Sequence, residues 1–215
     1  MNSVCPLCQY SQIQIFCSDK KRAYFQCQQC FLVFADRTTL LTAEQEKAQY
    51  DLHQNQLDDL GYRKFLSRLA SPLLSMLRPE QNTGLDFGCG PGPLLAHMLR
   101  EAGKEMQVWD PFYAPEPKAL QRKYHFVSCT EAIEHFINPA KEWSLWLDLL
   151  LPEAVLALMT KRYTDQSSFS NWHYKNDPTH ISFFHQDTFE FLAKRDNFTV
   201  NFPADDVVLF KKRNT

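Results

Sequence analysis

The chain has 215 residues, 44% of them apolar, which is enough for one or two domains with a real core and no need of a disulfide framework. Lys plus Arg total 23 and Asp plus Glu 25, a net charge of -2, so no global field draws the molecule to DNA, RNA or an anionic membrane. The most apolar stretch, Trp143 to Met159, carries Asp148 and Glu153 and does not read as a membrane span, and the residues around Asp19, Lys20, Lys21 and Arg22 do not read as a secretory signal. Seven cysteines without an export signal point to a cytoplasmic protein with reduced thiols.

Residues 1–40 read as a small module with three short strands, at Ile13–Phe16, Ala23–Phe25 and Phe31–Phe34. Cys5-Pro6-Leu7-Cys8 and Cys27-Gln28-Gln29-Cys30 are two C-x-x-C knuckles, and Cys5, Cys8, Cys27 and Cys30 together supply the four thiolates of a tetrahedral Zn²⁺ site. Four thiolates leave no open coordination position, so this zinc organises a ribbon and takes no part in chemistry. Gln9 and Phe31 stand where such knuckles often carry glycine. The run Asp19-Lys20-Lys21-Arg22 reads as a solvated loop. The module holds four basic and two acidic side chains, and a Cys₄–zinc centre adds about -2, which brings it near neutral.

Residues 41–80 read as a helical linker or lid. Thr42 and Gln45 fit a capping box, and Leu66, Leu69, Leu73 and Leu77 recur at helical spacing, with Pro72 expected to restart a helix. Residues 81–215 then alternate strand and helix, with strands at Thr83–Phe87, Gln107–Asp110, Phe126–Cys129 and Ala154–Met159 and a terminal hairpin at Thr199–Phe202 and Val207–Phe210. The expected fold is α/β: a Rossmann-like, doubly wound, mostly parallel sheet with an antiparallel C-terminal hairpin, its ligand at the carboxyl ends of the strands.

Only six glycines occur, and Gly84, Gly88, Gly90 and Gly92 fall close together. Three of them form Asp86-Phe87-Gly88-Cys89-Gly90-Pro91-Gly92, a strand-to-helix loop that lets a ligand approach the backbone closely. The spacing differs from the dinucleotide fingerprint G-x-G-x-x-G, since Pro93 takes the third glycine's place. Asp86 would repel a pyrophosphate but suits a cofactor carrying ammonium and sulfonium charges. Asp110, ending the next strand, is placed to accept hydrogen bonds from ribose hydroxyls.

These residues, with Cys129-Thr130-Glu131-Ala132-Ile133-Glu134-His135-Phe136, resemble the motifs of class I S-adenosylmethionine-dependent methyltransferases, in particular the branch related to ubiquinone-biosynthesis O-methyltransferases. The resemblance covers about residues 80–215. It implies a seven-stranded sheet with an antiparallel last strand, S-adenosyl-L-methionine as cofactor, and cofactor contacts from Asp86, Phe87, Gly88, Gly90 and Gly92 at the methionine end. It further implies Asp110 on the ribose, Pro111 and Phe112 flanking the adenine, and Thr130, Glu131 and His135 beside the cofactor. The short interval between Asp110 and Phe126 departs from the family and implies that its third strand is shortened or lost. A zinc ribbon ahead of such a domain is similar to arrangements in some ribosomal RNA and sugar methyltransferases.

The loop Lys161–His185 should face the transferred methyl group. His173 or His180, with Asp177 or Tyr174 orienting it, is the candidate base for an acceptor oxygen or nitrogen. A second metal at His173, Asp177 and His180 is a further option. Tyr50, His53, Asn55, Gly61, Tyr62 and Phe65 are candidates for a lid. The acceptor is expected to be a small molecule rather than RNA or protein. The competing reading is a cofactor-binding adaptor that works through the ribbon without turnover.

Overall fold

Short apolar segments build the first part of the chain, whose computed structural model describes residues 4–52 and 59–213. An antiparallel meander runs through β1 (Ile13–Ser18), β2 (Ala23–Cys27) and β3 (Val33–Ala35). Helix α1 (Ala43–Tyr50) starts on the capping box, Thr42 Oγ1 accepting from Gln45 N while Gln45 Oε1 accepts from Thr42 N. Helix α2 (Leu60–Met76) is capped by Asp59 and runs through Pro72, contrary to the expected restart. Proline inside a helix costs about 3 kcal/mol. Leu66, Leu69 and Leu73 are buried along the same helix, and at about 1.5–3 kcal/mol per buried side chain they outweigh that cost.

The second sheet follows from β4 (Thr83–Phe87), α3 (Leu94–Glu101), β5 (Glu105–Trp109), β6 (Tyr124–Thr130), α4 (Pro139–Leu149) and β7 (Leu150–Met159). After α5 (Gln166–Ser170) and the short β8 (Ser182–Phe183) come α6 (Gln186–Arg195), β9 (Phe198–Ala204) and β10 (Val207–Lys212). The strand order is β5-β4-β6-β7-β10-β9: β5, β4, β6 and β7 are parallel, and β10 is antiparallel to both neighbours. Both faces are buried, so alternate residues of one strand serve different cores. Val155, Ala157 and Met159 pack with α2 and α3, while Leu156 and Leu158 pack with Trp143, Trp146, Phe189 and Leu192 of α4 and α6.

The sheet has six strands among the described residues, not seven. Residues 111–123 provide only turns and a short 3₁₀ turn at Pro117–Leu120, too little chain for a helix and a further strand, so β5 becomes the edge. No described helix is long and apolar enough to cross a membrane.

The N-terminal meander is stitched to the long loop after β7. Strand β8 pairs with β3, Val33 opposite Phe183 and Phe34 opposite Ser182. Phe16, Tyr24 and Val33 share one apolar cluster with Tyr163, Phe169 and Phe183. Arg22, expected in a solvated loop, is instead buried. Its guanidinium donates to the carbonyls of Lys175 at 2.6 Å, Asp177 at 2.7 Å and Pro178 at 3.2 Å, and to the Tyr24 hydroxyl at 2.8 Å. Asp19, Lys20 and Lys21 keep to the expected exposed course.

Replacing Arg22 by Met leaves three carbonyls without this donor, and should cost about 2–4 kcal/mol in urea unfolding. Lys21→Met, one residue away and exposed, should stay within about 0.5 kcal/mol. Equal effects of the two changes would contradict the strut.

Candidate active site

The carboxyl ends of β4, β5 and β6 open into a cavity of about 500 Å³. The glycine loop forms one wall. Gly88 (φ +73°) and Gly90 (φ +64°) occupy the left-handed region, and a Cβ on Gly88 would come within 2.7 Å of the Ala132 Cβ. A Cβ on Gly90 would meet no atom within 4 Å, so the backbone there is presented to open space. Asp110 clamps this wall: Oδ2 accepts from Gly90 N at 3.0 Å, and Oδ1 accepts from Phe112 N at 2.8 Å and Tyr113 N at 3.1 Å. Oδ1 thus fills both of its lone-pair sites, and Oδ2 keeps one for a ligand.

Of the residues expected around a cofactor, Gly88, Gly90, Asp110, Pro111, Phe112, Thr130, Glu131 and His135 line the cavity. Asp86, Phe87 and Gly92 do not. Asp86 is 2% exposed beneath the loop and accepts from Ser128 Oγ at 2.8 Å. Phe87 points into the core and stacks on Trp109, ring centroids 4.5 Å apart. The strand's pleat accounts for both: residues at the end of a fully buried strand point alternately into the two cores, leaving only the loop beyond for the cavity.

The opposite wall is made by residues 130–136 and the loop before β8. Glu131 adopts a left-handed φ of +47°, a conformation that costs a non-glycine residue about 1–3 kcal/mol and concentrates at functional sites. Burial, reinforced by Glu134, pushes its carboxyl up to about 8. Glu134 is fully buried, its carboxyl raised by desolvation, with Oε1 accepting from the Tyr174 hydroxyl. His180 donates from Nδ1 to Tyr174 O at 2.7 Å and its ring lies 4.1 Å from that of Tyr174, while burial holds it below the ordinary imidazole range. Asp177 accepts from Thr179 N and Oγ1 through Oδ1, and its Oδ2 lies 3.9 Å from His180 Nε2.

His180 and Asp177 therefore reach the cavity. Tyr174 lies behind His180, outside the lining. His173 is exposed on the 3₁₀ turn His173–Asn176, whose inward face is given to Tyr174 and Lys175, so the cluster of His173, Asp177 and His180 does not form. Sequence reasoning missed Glu46 and Glu134 as lining residues. Glu134 was legible as the second acid of Glu131-Ala-Ile-Glu134-His135, whereas nothing in the α1 sequence separates Glu46 from Glu44. Tyr50, Tyr62 and Phe65 line the cavity and Gly61 does not; His53 and Asn55 lie outside the described residues. Tyr50 bridges the two walls, 5.8 Å from the Phe112 ring and 5.2 Å from that of His135.

The four N-terminal cysteines converge apart from this cavity. Cys5 and Cys30 Sγ lie 3.6 Å apart and Cys8 and Cys27 Sγ 3.5 Å apart, close to the ~3.8 Å edge of a tetrahedral site with ~2.3 Å zinc–sulfur bonds. Leu7 N and Gln29 N each donate to the first sulfur of their knuckle at 3.4 Å. Gln9 (φ +63°) and Phe31 (φ +59°) take the left-handed turn that glycine would take more cheaply.

The sequence profile of a methyltransferase domain family matches residues 56–201. Among curated proteins, none matches the chain. Among solved structures, an O-methyltransferase family protein from Burkholderia thailandensis superposes with a TM-score of 0.56 at 14% identity, covering 83% of this chain and 66% of that one. The plantazolicin methyltransferase BpumL, in complex with a triazolic desmethylPZN analog and SAH, gives a TM-score of 0.50 at 13% identity, covering 80% of this chain and 91% of that one. At these identities the likeness is one of fold.

Asp86 yields a pH test independent of any ligand. Burial pushes its carboxyl up to about 7, from 3.8, so the native state keeps a proton that the unfolded chain releases near pH 4. Its contribution to stability is therefore lost as pH rises from about 4 to about 7. Asp86→Asn should gain stability relative to the unsubstituted chain over that interval in urea titrations at successive pH values; parallel curves would contradict the assignment.

Proposed function

The chain belongs to the methyltransferase domain family and is an S-adenosylmethionine-dependent methyltransferase; on that premise we propose that it methylates an oxygen or nitrogen of a small acceptor held beside His135 and His180. The observation that carries this reading is the cavity itself, with the glycine loop and Asp110 on one side and an imidazole pair on the other. Gly88 and Gly90 would accept close approach of the cofactor's methionine end, with Thr130 and Glu131 alongside. The spare Oδ2 lone pair of Asp110 would take a ribose hydroxyl, and Pro111 and Phe112 would flank the adenine, covered by Tyr50 as a lid. The cofactor, when bound, supplies an electrophilic methyl group on a sulfonium sulfur. The chain's own contribution is to align the two reactants, exclude water and draw off the acceptor's proton.

His180 is the residue best held for that last task. Its Nδ1 proton goes to a carbonyl, which can only accept, so the lone pair stands on Nε2. Tyr174 orients the ring through that carbonyl and by stacking, and Asp177 lies close to Nε2. A small acceptor is favoured over nucleic acid by the lining charge: Glu46, Asp110, Glu131, Glu134 and Asp177 face the cavity, and no Lys or Arg does among the described residues. Such a wall attracts a cationic cofactor and repels phosphates. The complex of BpumL with SAH supports the choice of cofactor. We assign the cysteine cluster to one structural zinc, making residues 1–40 a zinc ribbon. The seven cysteines, none in a disulfide, support a reducing, cytoplasmic setting.

S-adenosylhomocysteine should raise the melting temperature and NAD should not, and Asp110→Asn should abolish the shift. An undiminished shift in that variant would sink the ribose assignment. With methyl-labelled cofactor and a cell extract, label should enter the low-mass fraction, and His180→Ala should slow it on the order of a hundredfold while His173→Ala does not. Label in precipitated protein or RNA would overturn the small acceptor. Elemental analysis should find about one zinc per chain, lost together with folding when Cys27 is changed to Ser; a folded, zinc-free preparation would overturn the ribbon.

A further inference from the structure

Glu134, His135 and His180 each present a ligand atom, and the three atoms lie within 4.8 Å of one another. They come from two segments, the 3₁₀ turn after β6 and the loop before β8, and the imidazole centroids stand 4.8 Å apart. Both rings are oriented alike by main-chain carbonyls: His135 Nδ1 by Thr179 O at 3.1 Å and His180 Nδ1 by Tyr174 O at 2.7 Å. A carbonyl accepts only, so each ring carries its proton on Nδ1 and its lone pair on Nε2. That arrangement of an outer acceptor fixing the inner nitrogen is the usual support of a metal-bound imidazole.

The carboxylate adds an independent observation. Glu134 is 0% exposed; Tyr174 donates to Oε1, while Oε2 is buried without a hydrogen-bond partner. Glu131 Oε1, at the base of the same turn, is likewise buried and without a partner. An orphaned buried acceptor costs about 1–3 kcal/mol, more if charged. A cation beside Oε2 removes that cost.

We propose that Glu134, His135 and His180 bind one divalent first-row transition-metal ion, an O,N,N site distinct from the cysteine cluster. Two imidazoles and one carboxylate suit Mn²⁺, Fe²⁺, Co²⁺ or Zn²⁺ better than Ca²⁺ or Mg²⁺. Three protein ligands leave coordination positions open toward the cavity, where an acceptor hydroxyl can bind. Coordination lowers the hydroxyl's pKa and its proton leaves to solvent. The oxygen lone pair then forms the new C–O bond as the methyl–sulfur bond breaks, its electron pair remaining on sulfur as a neutral thioether. With the ion bound, the Nε2 lone pair of His180 is committed to the metal, which then replaces His180 as the means of removing the acceptor's proton. This chemical role rests on the methyltransferase reading; the binding of the ion does not.

Mn²⁺ is the probe, because a Cys₄ site disfavours it and its binding removes the free-ion signal from the electron paramagnetic resonance spectrum. The full chain, purified with its zinc, should bind about one Mn²⁺. Glu134→Gln, which keeps the shape and the contact to Tyr174, and His135→Gln, at a half-buried position, should each weaken binding at least tenfold. No Mn²⁺ binding by the unsubstituted chain, or undiminished binding by either variant, would overturn the proposal. The shift with S-adenosylhomocysteine is read in the same samples. Mn²⁺ binding lost in the variants of a chain that gives no such shift supports the ion site and sinks the methyltransferase reading. A normal shift without Mn²⁺ binding does the reverse.

Discussion

The wall of the cavity that carries Asp177 and His180 depends on one guanidinium. Residues 172–180 form an irregular loop whose carbonyls at Lys175, Asp177 and Pro178 converge on a point where the loop itself offers no donor, and Arg22 fills that point from 153 residues away in sequence. A lysine could not do this: a rigid planar fork with five donors meets several fixed acceptors at once, whereas an ammonium meets them one at a time. Asp177 and His180 are the loop's contribution to the cavity, so their placement follows from the order of the β1–β2 turn. The pairing of β3 with β8 and the shared cluster of Phe16, Tyr24, Tyr163 and Phe169 make the same connection in apolar terms. The cysteine cluster stands apart from the cavity, on the meander whose β3 strand holds this wall through β8.

How much of this is legible from residues alone depends on the range over which each signal acts. The capping box at Thr42, the glycine loop and Asp110 are local, since the residues that need one another are near in sequence or at the ends of adjacent strands. The loss of a strand after β5 is equally local, being a matter of chain length. Arg22 is not legible, because a charged residue beside two lysines carries no mark of three carbonyls in a distant loop. Pro72 misleads for a related reason: the proline rule is a backbone rule, and the burial of Leu69 and Leu73 that overrides it comes from tertiary packing. His173 and His180 look alike in sequence, and only the 3₁₀ turn between them decides that one faces solvent and the other the cavity.

The two clusters that could hold a metal ion are built in different ways. In the cysteine cluster every candidate donor is a cysteine sulfur on one of two matched turns, and each turn keeps a left-handed residue, Gln9 or Phe31, where glycine would relieve the strain. That strain is tolerable if the four sulfurs are tied to a common centre, since the tie fixes both turns. The cluster at Glu134, His135 and His180 is held differently, by main-chain carbonyls and a tyrosine hydroxyl that would keep its shape with or without an ion. A preformed frame of this kind suits a site whose ligands must remain accessible.

The buried acids complete the physical picture. Asp110 receives three backbone N–H donors, whereas Glu134 leaves Oε2 and Glu131 leaves Oε1 buried without a partner. Burial accordingly raises the carboxyls of Asp86, Glu131 and Glu134. Acids in this condition hold protons when no cation is near and surrender them when one arrives, so a cationic cofactor and a divalent ion would each enter in exchange for protons. A cavity lined in this way would select by charge as well as by shape. Asp177, held below the usual carboxylate range by its bonds from Thr179, supplies a standing negative charge, and Glu131 and Glu134 would add theirs when a positive group enters.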